Sequence, residues 1–185
     1  MGIVSGGGGG GGGGGALALI STTTLSGAGS FDISSIPGSY NDLVFVAICR
    51  GTNAAASEGL QWNFNNDSGS NYYSEKVLVS GTGALNGVEV IGTIGLLLGR
   101  CPGNTGLANS FGVTELVIPG YASTTWIKPA YSSSFSANTN TTTNVYTEHG
   151  GGVWNSTVAV TRVQVKGSNT ANLAIGSVLR IYGRT

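Results

Sequence analysis

The stretch "DLVFVAICR", Asp42 to Arg50, is apolar at both phases of a period-two repeat. Leu43, Phe45 and Ala47 fall on one face, and Val44, Val46 and Ile48 on the other. A strand of this kind is covered on both sides, which places it in the middle of a sheet. The stretch after it, "LQWNFN", behaves differently. Leu60, Trp62 and Phe64 share one face, and Gln61, Asn63 and Asn65 share the other.

Outward from these two, most segments are short and read as strands: "ALALISTTTLS", "SFDISSIP", "YYSEKVLVSG", "VEVIGTIGLLLGR", "FGVTELVIPGY", "TWIKPAYSSSF", "VYTEHGGGVW", "VAVTRVQVKG" and "VLRIYG". Gly- and Asn-rich clusters separate them, among them "PGSYND", "NNDSGSN", "PGNTG" and "ANTNTTTN". Gly and Asn supply the positive φ angles of tight turns. No apolar repeat at i, i+3, i+4, i+7 is sustained, and a single helical turn is expected over "TNAAASEG", Thr52 to Gly59. Ten or eleven short strands with turns between them predict an all-β fold, a jelly-roll-like antiparallel β-sandwich.

Before the first strand, "MGIVS" leads into ten consecutive glycines, Gly6 to Gly15. We divide the chain into an anchor peptide and poly-glycine arm (1–20) and a β-sandwich domain (21–185). Ten glycines reach about 35 Å when straight. Ile3 and Val4 give the tip an apolar grip, and Gly6, Gly10 and Gly15 mark a tether without side-chain bulk. Such a leash suits threading a crevice of another subunit.

Eight Lys and Arg balance eight Asp and Glu over 185 residues. Zero formal charge gives no electrostatic drive toward nucleic acid or an anionic membrane. No stretch has the roughly 20 apolar residues of a spanning helix, and no secretory leader is read. Cys49 and Cys101 fit no metal-cluster spacing. A buried free thiol is expected at Cys49, and a bridge to Cys101 stays open.

Reactive constellations are weak. His149 is the single histidine, and "HGGG" resembles an esterase oxyanion string, but no G-x-S-x-G elbow accompanies it. The acids Asp32, Asp42, Glu58, Asp67, Glu75, Glu89, Glu115 and Glu148 are scattered, and no pair stands out. Asn63, Asn65 and Asp67 lie at alternate positions, as in a calcium loop, but Gly and Glu each fall one place late. No catalytic, metal or cofactor residue is assigned, and an enzyme is not expected. Exposed aromatics beside amides suit sugar stacking, and Trp126, Tyr73 and Tyr131 are the candidates for surface recognition.

The run "SFDISSIPGSYNDLVFVAICRGTNAAASEGLQWNFNNDSGSNYYSEKV" resembles a group of small tailed-bacteriophage virion proteins. The matching positions are Ile33, Ile36, Pro37, Tyr40, Asp42, Leu43, Arg50, Phe64, Asn65, Asp67, Gly69, Asn71 and Tyr72. "ELVIPGYAS", "GGGVWNSTVAVTRVQV", "GSVLRIYG" and the glycine-rich start extend the likeness. The resemblance implies a virion localisation and a structural role as head decoration, head fibre or tail-associated module. A tail-tip module binding a host surface glycan is the alternative. Implied partners are other virion proteins and copies of the chain itself. Apolar strands on both faces leave surface to bury between copies, and the likeness to phage surface modules implies a homotrimer. From the residues themselves, Tyr40 is expected to act as a tyrosine corner, and Arg50 to pair with Asp67 or Asp42.

Overall fold

The computed structural model describes residues 15–81, 83–138, 145–168 and 171–185. Its strands are β1 (Leu17–Thr24), β2 (Phe31–Ile33), β3 (Asp42–Cys49), β4 (Ser57–Phe64), β5 (Tyr72–Ser80), β6 (Leu85–Thr93), β7 (Leu96–Pro102), β8 (Gly112–Pro119), β9 (Lys128–Ala137), β10 (Val145–Trp154), β11 (Val163–Gly167) and β12 (Val178–Arg184). They form an eight-stranded sheet, β1-β12-β3-β8-β9-β10-β5-β6, and a four-stranded sheet, β2-β11-β4-β7. Every pairing within them is antiparallel. The fold is an all-β sandwich, as the alternation predicts.

β3 lies between β12 and β8, as its two apolar faces require. Its inward residues Leu43, Phe45, Ala47 and Cys49 meet Leu60, Trp62 and Phe64 of β4 in one buried core, joined by Leu116, Ile118, Val163, Val165 and Ile181. Trp62 packs on Phe45 with ring centroids 5.8 Å apart, and its Nε1–H donates to the Leu98 carbonyl at 2.7 Å. Gln61 and Asn63, on the opposite face of β4, are also buried, with Gln61 Nε2 donating to Asn63 Oδ1 at 2.9 Å.

Two expectations are corrected. "VEVIGTIGLLLGR" is not one strand. It breaks at Ile94–Gly95 into β6 and β7, which belong to different sheets. A side chain on Gly95 would overlap Gln61 and the Trp62 carbonyl, so the chain passes only as glycine. "TNAAASEG" does not form a helical turn. The carbonyls of Asn53, Ala55 and Ala56 accept from Asn104, Thr105 and Gly103, partners distant in sequence, and Ser57 already opens β4. The boundary drawn after residue 20 also falls inside β1, which pairs with β12 from Leu17 onward.

The half of the sandwich under β7 is built on small and polar residues. Ala130, Ser132, Ser134 and Ser136 of β9 point inward, while Tyr131 and Phe135 point out. On β10, Gly150 and Gly152 lie under β7. A Cβ on Gly150 would stand 2.8 Å from Leu98 Cδ2, and one on Gly152 would stand 2.9 Å from Leu96 Cδ2. The glycines let the two sheets approach closely. Beside them Glu148, fully buried, accepts the Gly99 N–H at 2.6 Å and lies 3.1 Å from Lys76 Nζ.

Candidate functional site

The outer face of the eight-stranded sheet faces away from the four-stranded sheet, and strand register fixes which residues share it. One row across the strands reads Glu75, Gly151, Tyr131, Val117, Val44 and Tyr182. The next reads Val77, His149, Ser133, Glu115, Val46 and Arg180. A third reads Val79, Thr147, Phe135, Val113, Ile48 and Val178. Val44 and Val117 are 2% and 1% exposed yet stand outside the interior core, so this face carries an apolar centre of its own. Around it Tyr131, Phe135, Val77, Val79 and Val113 are between 37% and 50% exposed. A groove of about 500 Å³ runs between β5 and β10, floored by Gly151 and walled by Tyr73, Val77 and His149. A second, of about 350 Å³, lies over Val113, Ser133 and Phe135.

The structure brings Tyr73 and Tyr131 onto this one face. Trp126 lies apart, in the β8–β9 loop, half-exposed and stacked against Gly120. Of the anchor residues, Ile3, Val4, Gly6 and Gly10 lie outside the described residues. Gly15 abuts the Thr185 carbonyl, where any side chain would overlap.

His149 sits mid-strand, and the glycines after it continue β10 rather than making a turn. Their backbone groups belong to the ladders with β5 and β9, so they do not form an oxyanion site. The acids are spread among separate tasks. Asp32 is held below its ordinary value mainly by a hydrogen bond from Arg162. Asp42 lies 3.5 Å from Arg184, and Glu58 accepts from Ser168. Among the described residues, no three His, Cys, Asp or Glu side chains are grouped to hold a metal. Cys49 and Cys101 are free and buried. Burial pushes the Cys49 thiol well up and the Cys101 thiol to about 12, which disfavours a nucleophilic thiolate.

Asp67 resolves the calcium-like loop. Its carboxylate accepts Gly69 N–H at 2.8 Å, Asn71 Nδ2 at 3.0 Å and Trp154 Nε1 at 2.7 Å. A carboxylate ringed by N–H donors ties a turn to the core and does not present oxygens to a cation. Burial alone would push this carboxyl up, but the bonds from Trp154, Asn71 and Gly69 hold it below the ordinary 3.8. Its stabilisation is full above that value and is lost as pH falls through the lower folded value. Asp67→Asn is therefore expected to cost stability at neutral pH and progressively less on acidification below about pH 4. Urea unfolding of both proteins across pH checks this, and a pH-independent difference contradicts it.

Two residue roles differ from those read in the sequence. Arg50 pairs with neither Asp67 nor Asp42. Its guanidinium donates to the carbonyls of Leu107, Ser110, Asn104 and Gly106 and organises the loop before β8. Tyr121, not Tyr40, makes the corner: its hydroxyl donates to the Pro37 carbonyl and accepts the Tyr40 N–H. The Tyr40 ring instead covers Gly183. No local signal separates these alternatives, because each contact joins residues dozens of positions apart.

No family model and no curated protein matches the chain. Among solved structures it is similar to a fructofuranosidase from Schwanniomyces occidentalis complexed with fructosylnystose, at 6% identity and a TM-score of 0.31, covering 91% of this chain and 34% of that one. It is also similar to a fructosyltransferase from A. japonicus, at 10% identity and a TM-score of 0.25, covering 92% and 27%. The chain thus spans about a third or less of those proteins' length, and likenesses at this level carry no argument about activity.

Proposed function

We propose that the chain is a non-enzymatic structural protein of a phage virion, attached by its N-terminal arm and displaying the sandwich on the particle surface as capsid decoration or head fibre. The observation that carries this reading is how the arm joins the fold. The residues after the glycines enter β1, an edge strand, and pair at once with the last strand, from Leu17 opposite Arg184 to Thr24 opposite Val178. Tension on the arm loads this ladder lengthwise, so its hydrogen bonds share the pull. A tethered surface module needs that attachment. Charge-poor composition, with Asp32, Asp42, Glu58, Asp67 and Glu148 held in structural bonds, fits a part that covers or presents surface.

Deleting residues 1–15 is expected to leave a folded domain with an unchanged melting curve that no longer incorporates into particles. Incorporation at the wild-type level overturns the anchoring role. A glycan array addresses the recognition alternative. Specific binding that is lost in Tyr131→Ala or Trp126→Ala would replace decoration with receptor binding.

A further inference from the structure

We propose that the outer face of the eight-stranded sheet is covered by a second copy of this chain, related by a twofold axis lying along β9. This pairing does not depend on the virion reading. β9 is central in the seven strands β12-β3-β8-β9-β10-β5-β6, with three strands on each side. A twofold along it sets each residue opposite the one equally far across β9 in the same row.

The rows match under that operation. In the row through Ser133, His149 meets the second copy's Glu115, Val77 meets Val46, and the bare Gly87 leaves room for Arg180. In the row through Phe135, Thr147 meets Val113, Val79 meets Ile48, and Leu85 meets Val178, while Phe135 meets its own copy. In the row through Tyr131, Gly151 offers an open floor opposite Val117. Further along that row Glu75 falls opposite Val44, which is already buried within its own chain, and Glu89 falls opposite Tyr182 at the rim.

Polar pairing and size both favour a copy of the same chain. The face carries Glu115 on one side of β9 and His149 on the other, so each copy sets an imidazole opposite a carboxylate of the other. Seven strands at about 4.8 Å, over some 25 Å of strand length, give roughly 850 Å². A stable interface takes about 800 Å² from each partner. Exposed Phe135, Tyr131, Val113, Val77 and Val79 form one apolar patch on this face, a feature that often marks an interaction site. Aligned sheet faces pack well when side chains of the two layers interdigitate.

Sedimentation velocity on the full chain across a micromolar concentration range tests the pairing. The wild type is expected to be a dimer. Glu115→Lys and His149→Glu, each placing like-charged or unpaired groups across the axis twice, are expected to weaken it by more than about tenfold. The double variant Glu115→Lys/His149→Glu restores opposite signs and is expected to recover the dimer. Phe135→Glu is expected to give a folded monomer, verified by its unfolding curve. A monomeric or trimeric wild type, or charge variants that dimerise like the wild type, overturns the proposal.

Discussion

Replacing Glu148 with alanine is expected to lower the unfolding free energy by about 3–5 kcal/mol. Glu148 is fully buried beneath β7, 3.1 Å from Lys76 Nζ, and it accepts the Gly99 N–H. Its loss leaves an ammonium group without its counter-charge in a nearly closed site. It also orphans a backbone donor at a position with φ of 90°, where a Cβ would overlap Thr114, so the chain has little freedom to rearrange. Removing a single partner costs far more than removing the pair, because the penalty lies in the group left behind. Lys76→Met/Glu148→Leu is accordingly expected to be less destabilised than Glu148→Ala. Urea midpoints for the variants check the order, and a double variant weaker than the single one would show that the pair itself contributes net stability.

Trp62→Ala is expected to cost about 3–5 kcal/mol, a large share of the roughly 5–15 kcal/mol that holds an ordinary domain. Trp62 sits at the junction of the two sheets, fully buried, against Phe45 of the large sheet. Truncation opens a cavity at that junction and strands the Leu98 carbonyl, which now accepts the indole N–H. Trp62→Phe keeps most of the volume and loses the hydrogen bond, so it separates the two contributions. Its expected loss is smaller, near the 1–3 kcal/mol of a buried unpaired polar group. Equal losses for the two variants would show that the hydrogen bond, not the volume, dominates. Calorimetric or urea unfolding reads both.

The strands were legible where a period-two pattern, alternating or apolar at both phases, was followed by a turn. β3, β4 and β5 are of this kind, and Leu60, Trp62 and Phe64 are buried on the face their spacing implies. The β6–β7 break was hidden because the apolar run continues across Ile94 and Gly95 while the chain changes sheets there. Of the surface candidates, Tyr73 and Tyr131 share one face and Trp126 does not. The rows that surround them became visible only through register, since they join β3, β8, β9, β10 and β5.

The sequence by itself determined the class and the shape of the pieces: strands with period-two patterning, Gly and Asn turns, and a both-sided central strand cannot avoid a layered β fold. It did not determine which face of β9 and β10 is the inside. Read alone, "AYSSSF" sets Tyr131 and Phe135 on one face and Ser132 and Ser134 on the other without saying which is inside; in the fold Ser132, Ser134 and Ser136 are buried and Tyr131 and Phe135 exposed. The reason is distance between layers. β7 lies so close over these strands that, apart from the Glu148–Lys76 pair, the positions beneath it carry hydrogen, a methyl group or a hydroxyl, as the overlaps at Gly150 and Gly152 show. Large side chains must then turn outward, and that outward apolar face is a consequence of packing between strands far apart in the chain.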